Sequence, residues 1–77
     1  MRIRSFDTAA HKKLVLEAYA RTDRPILAGP ASMLRGWNGS LAETEALLEE
    51  MVSEGTLRRV TDSEKKRFDV QTGYVPV

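Results

Sequence analysis

The chain has 77 residues, enough for one domain and not two, with room for a single thin core and no deep cleft. With no cysteine there are no disulfides, thiolate metal sites or cysteine nucleophiles, and the one histidine, His11, has no carboxylates at metal-ligand spacing. A net charge of +1 implies no polyanionic partner by itself; no apolar run reaches the length of a membrane span, and the opening residues lack a secretory apolar stretch, so the expected compartment is the cytoplasm.

In chain order, Asp7 or Thr8 can accept bonds from free backbone N–H groups and so begin a helix over about 8–20. Phe6, Ala10, Leu14 and Ala18 recur every four residues beside Val15 and Tyr19, an apolar stripe. Pro25 disfavours helical geometry just before it and stops this helix. Ile26-Leu27-Ala28 reads as one brief strand between Pro25 and Gly29. Pro30 suits a first helical position and restarts a helix over about 30–36, with Met33, Leu34 and Trp37 on its apolar side.

The third helix, 41–54, is the clearest element. Ser40 and Glu43 form a capping box. Leu41, Thr44, Leu47, Leu48, Met51 and Val52 follow at helical spacing, and Gly55 stands where a left-handed cap belongs. After Gly55 the period changes. Residues 56–61 are rich in strand formers, Asp62-Ser63-Glu64-Lys65-Lys66 reads as a polar hairpin tip, and Phe68, Val70 and Tyr74 share one face of a second strand over about 67–75. Pro76 is expected to end the ladder.

The stretch Leu47-Leu48-Glu49-Glu50-Met51-Val52-Ser53-Glu54-Gly55-Thr56-Leu57-Arg58-Arg59-Val60 resembles the winged helix-turn-helix family, where a recognition helix runs through its glycine into the first wing strand. The resemblance spans about residues 10–74, and only this stretch is family-like residue by residue. It implies an α+β, mainly α domain over 1–77: three helices, a short first strand and a C-terminal β-hairpin wing. It also implies that the third helix enters the major groove and the hairpin tip touches phosphates or the minor groove. Ala42, Glu43, Glu45, Ala46, Glu49 and Glu50 would then face outward, with Lys65, Lys66 and Arg67 on the wing.

Charge departs from that pattern. Residues 1–40 hold seven basic and three acidic side chains, net +4; residues 41–54 hold five glutamates and no basic residue, net −5; residues 55–77 hold five basic and three acidic, net +2. Base edges and phosphates call for donors, and pressing five carboxylates against a polyanion opposes the counterion release that drives DNA binding. Two readings of the glutamates stand: a solvated face, or a face that docks a protein with a basic surface or a second copy of this chain through Glu43, Glu45, Glu49 and Glu50. Trp37 is either a core residue or an interface anchor on that face. The alternative function is a DNA-binding regulator touching phosphates through Lys65, Lys66, Arg67, Lys12, Lys13 and Arg35; the basic hairpin tip serves equally as protection against strand-to-strand aggregation.

No nucleophile–base–orienter set is evident. His11 reads as a surface residue, and Ser5, Ser32, Ser40, Ser53 and Ser63 read as caps or turn residues. The sequence therefore points to a binding module and not an enzyme, with no cofactor, metal or small-molecule substrate.

Overall fold

The computed structural model describes residues 7–20 and 22–77. Helices α1 (Thr8–Tyr19), α2 (Ala28–Ala31), α3 (Leu41–Ser53) and α4 (Asp62–Phe68) and strands β1 (Leu57–Arg59) and β2 (Tyr74–Pro76) form a small, mainly helical α+β domain. Phe6, on the expected apolar stripe, lies outside the described residues, as do Arg2, Arg4 and Ser5.

The Asp7 side chain accepts from the Ala10 N–H and starts α1. The buried line of α1 is centred on His11 and Val15, with Leu14 and Tyr19 half-buried beside them. This corrects the expected stripe: Ala10 and Ala18 are exposed. A methyl side chain has little apolar area to hide, so the larger neighbours set the helix rotation.

The expected helix over 30–36 is shorter and earlier. α2 is one turn, Ala28–Ala31, so Pro30 is its third residue. Only the first four N–H groups of a helix lack an internal partner, so proline is tolerated there. Met33 N–H then bonds Pro30 O and Leu34 N–H bonds Ala31 O, tight turns in place of helix. Met33, expected on the apolar side, is 84% exposed.

The expected start of α3 and its glycine exit agree with the structure, and the helix ends at Ser53, one residue before the expected 54. Ser40 Oγ accepts from Glu43 N–H while Glu43 Oε1 accepts from Ser40 N–H. At the other end Gly55 takes φ 83°, which lets its N–H reach Val52 O and the Thr56 N–H reach Met51 O. Thr44, Leu47, Leu48 and Met51 are buried. Leu47, Leu48 and Met51 pack with Val15, Ile26, Ala31, Leu57 and Tyr74 into the hydrophobic core.

The largest departure follows β1. Residues 62–68 are helix, not a hairpin tip, and the strand expected over 67–75 shrinks to Tyr74–Pro76. Thr61 and Glu64 make a second capping box, with Thr61 Oγ1 accepting from Glu64 N–H and Glu64 Oε1 accepting from Thr61 N–H. Asp62 and Glu64 sit in the first turn and Lys65, Lys66 and Arg67 in the last, matching the helix dipole at both ends. Asp69 closes α4 in the left-handed region at φ 56°.

β1 and β2 pair antiparallel, Leu57 opposite Pro76 and Arg59 opposite Tyr74. On the far side of β2, Tyr74 exchanges both backbone bonds with Ile26, so the short first strand is a single bridge. Pro76 does not end the ladder: Val77 N–H still reaches Thr56 O at 3.0 Å. Gly73 and Val77 bond toward β1 while Tyr74 bonds toward Ile26. By this alternation, residue 76 points away from β1 and its missing N–H costs no ladder bond. Gly73 is needed because Pro25 and Ile26 run close by: an added Cβ would meet Pro25 Cβ at 2.9 Å.

Candidate functional site

The α3 glutamates divide by what they touch. Glu43 belongs to the capping box. Glu49 accepts from Arg59 and from the Tyr74 hydroxyl, so it ties α3 to both strands. Glu50 and Glu54 pair with one ammonium, that of Lys12 on α1, the latter at 2.6 Å. These contacts shift the groups they join. The Tyr74 hydroxyl, then Arg59, hold the Glu49 carboxyl below its ordinary range. Burial first, and then Glu49, pushes the Tyr74 phenol up to about 12. Glu50 and then Glu54 raise the Lys12 ammonium.

Glu45 is left. It is exposed and makes no ion pair or hydrogen bond with a described residue. Around it α3 presents Leu41 (53% exposed), Ala42 and Ala46 to solvent. The residues expected to form one acidic surface are therefore brought together only in part, because internal cations have taken up three carboxylates and a helix start has taken a fourth.

Trp37 is half-buried against the core. Its Nε1–H donates to Thr44 Oγ1 at 2.8 Å, and that hydroxyl donates to Ser40 O at 2.8 Å. The ring also meets His11 edge-on, centroids 4.5 Å apart. His11 is buried, not a surface residue: 3% of it is exposed. Its Nδ1 lies 2.6 Å from Asp7 O, and the Asn38 N–H reaches Nε2 at 3.1 Å. A carbonyl can only accept and an N–H can only donate, so the ring hydrogen sits on Nδ1. His11 thus ties the start of α1 to the turn before α3. A polar residue flanked by lysines gave no sequence signal of this burial; the pairing depends on Asn38, 27 positions away.

The basic residues are dispersed. Lys12 is committed to α3. Lys65 lies 3.8 Å from Asp62 in its own helix, and Arg67 lies 3.6 Å from Asp23 with its guanidinium 5.0 Å from the centre of the Phe68 ring. Arg58, absent from the expected contacts, grips both oxygens of Glu64 at 2.8 and 2.9 Å. That grip, followed by the Thr61 backbone, brings the Glu64 carboxyl down from 4.5 to about 2. Lys13, Arg35 and Lys66 are exposed and without an ion pair among the described residues, and they stand on three different segments: α1, the turn after α2, and α4.

Two surface grooves flank these elements. One, of about 560 Å³, runs between the end of α1, α4 and the strands, and includes Arg24, Arg58 and Arg67 beside Asp23 and Glu64. The other, of about 480 Å³, lies between α2, the first turns of α3 and the segment after α4. Among the described residues no three His, Asp or Glu side chains are grouped to hold a metal ion, and no helix is long and apolar enough to cross a membrane. No protein-family model, curated protein or solved structure matches this chain.

Proposed function

We propose that this chain is a non-enzymatic binding module on a winged-helix-type scaffold, and that it engages a protein partner through the outer face of α3. The scaffold reading is supported by the order α1, Ile26 bridge, α2, turn, α3, β1, β2, with β2 paired between Ile26 and β1. It departs from the family pattern in having a capped helix where a wing tip would stand.

One observation carries the functional reading. The solvent side of α3 offers Leu41, Ala42, Glu45, Ala46 and Glu50, and no basic side chain lies anywhere on the helix. Such a surface repels a phosphate backbone and supplies no donor to a base edge. It offers apolar contact beside negative charge, which suits a protein surface carrying lysine or arginine.

A second reading, a DNA-binding regulator, draws support from the exposed Lys13, Arg35 and Lys66, and from the fact that four of the five glutamates of residues 41–54 are occupied internally. Fluorescence anisotropy with a mixed-sequence duplex at low salt separates the two. The expected result is no saturable binding at micromolar protein. A steep fall of affinity with salt would instead reveal phosphate contacts and put the regulator reading first.

A further inference from the structure

We infer that the groove between α2, α3 and the segment after α4 is the docking cleft of this module, and that it takes a protein segment in which an apolar side chain is flanked by lysine or arginine. The inference rests on the binding-module reading above and names the partner chemistry of that site.

The floor of the groove is apolar: Leu27 and Ala28 from the start of α2, Pro30, Leu41 from α3, and Val70 after α4. Its volume of about 480 Å³ lies in the range that encloses a few side chains. Leu41 is the first residue of α3 and is 53% exposed, although the helix buries four side chains further along. A large aliphatic side chain left in water beside a concave apolar surface is the feature that a partner's own apolar side chain would cover.

Charge selects the occupant. The chain has eleven aspartates and glutamates. Eight of them cap a helix or join a cation: Asp7, Asp23, Glu43, Glu49, Glu50, Glu54, Asp62 and Glu64. The side chains of Glu17, Glu45 and Asp69 do neither with a described residue (Asp69 closes α4 through its backbone alone), and two of these three, Glu45 and Asp69, line this one groove. Asp69 is also costly where it stands. It takes a left-handed backbone that favours glycine or asparagine, and it places a negative charge at the C-terminal end of α4, against the helix dipole. Asparagine would fit that position better in the isolated protein. The carboxylate gains a role if a cation of the partner meets it. The two carboxylates share the groove with Leu27, Ala28, Pro30, Leu41 and Val70, so the matching segment combines apolar and basic side chains. The same charges turn away nucleic acid.

The probe is a capped decapeptide carrying two leucines between arginines in a serine background, titrated into isotope-labelled protein and followed by backbone amide shifts. Two control peptides replace the leucines with serine or the arginines with glutamate. The basic-apolar peptide should move amides within 27–30, 41–45 and 69–72, and each control should bind weaker. Combining Glu45→Lys with Asp69→Asn should weaken the basic-apolar peptide about tenfold, since two exposed charge contacts are lost. The unbound variant should keep the dispersed spectrum of the parent. Shifts outside these segments, affinity unchanged in the double variant, or no response to millimolar peptide would each overturn the cleft. Concentration-dependent shifts at the same amides without peptide would replace the proposed occupant by a second copy of the chain. Failure of the cleft with duplex DNA also failing to bind removes this inference alone, whereas saturable DNA binding removes the module reading beneath it.

Discussion

Helices α3 and α4 begin in the same way and are held by different forces. Each opens on a hydroxyl–glutamate capping box, Ser40 with Glu43 and Thr61 with Glu64. α3 then runs thirteen residues and buries Thr44, Leu47, Leu48 and Met51, whereas α4 runs seven residues and buries none. Isolated helices of seven residues are marginal in water, because nucleation is costly and few bonds follow it. α4 therefore persists through its ends: the box, the acidic first turn, the basic last turn, and the Arg58 grip on Glu64. The contrast teaches that capping chemistry sets where a helix starts, while burial decides whether its loss unfolds the domain or only a surface turn.

The strongest way to break the comparison is through the core. Leu48 is fully buried in α3, so Leu48→Ala should cost about 2–5 kcal/mol. Denaturant titration should show one cooperative transition at a much lower midpoint, with α4 lost together with everything else. A next, smaller effect is expected at Thr44, whose buried hydroxyl joins Trp37 Nε1–H to Ser40 O. Thr44→Val keeps the shape and removes the acceptor. It should cost about 1–3 kcal/mol, since the indole N–H loses this acceptor, and tryptophan fluorescence should report the change around Trp37.

Thr61→Ala sharpens the comparison from the other side. Removing the cap should cost about 1 kcal/mol, felt within α4. Hydrogen exchange should accelerate at 62–69 and stay nearly unchanged at the buried positions of α3. If the α3 amides accelerate equally, α4 is instead part of the cooperative core.

Acid should give the smallest global effect. The Glu64 carboxyl is depressed to about 2 by Arg58 and the Thr61 backbone. A carboxyl whose folded value is depressed contributes stability that is complete above its unfolded value near 4.5, and that contribution is lost as pH falls toward 2. Protonation also removes the acceptor of the Arg58 grip. Amide shifts of 62–69 should therefore move between pH 4.5 and 2. Glu64→Gln, which cannot ionise, should remove the Glu64 contribution to that movement.

Both capping boxes are legible in residue spacing, but spacing alone marks only one of them as a helix start. Ser40-x-x-Glu43 precedes a long apolar repeat, which made the helix obvious. Thr61-x-x-Glu64 precedes Lys65-Lys66-Arg67, with no apolar face, so the polar run looked like a turn. Phe68 and Val70 then mimicked strand alternation. Asp69 between them is the helix's left-handed cap, and nothing in a period-two count separates that from a strand residue. At the candidate site, the outward glutamates of α3 were evident from helical spacing. Which of them remained available was not.

What the amino-acid order by itself determined is local: the Asp7 and Ser40 helix starts, the glycine exit at Gly55, the apolar face of α3, and the absence of cation on that helix. Each depends on groups within a few residues, so spacing suffices. The fold decided the rest. Lys12 reaches Glu54 across 42 positions, Tyr74 reaches Glu49 across 25, and His11 is sealed by a backbone N–H 27 residues on. Charges separated along the chain neutralise one another only when packing brings α1 and the strands against α3. Tertiary structure thus determined which carboxylates of residues 41–54 are paired, and left Glu45 without an ion pair among the described residues.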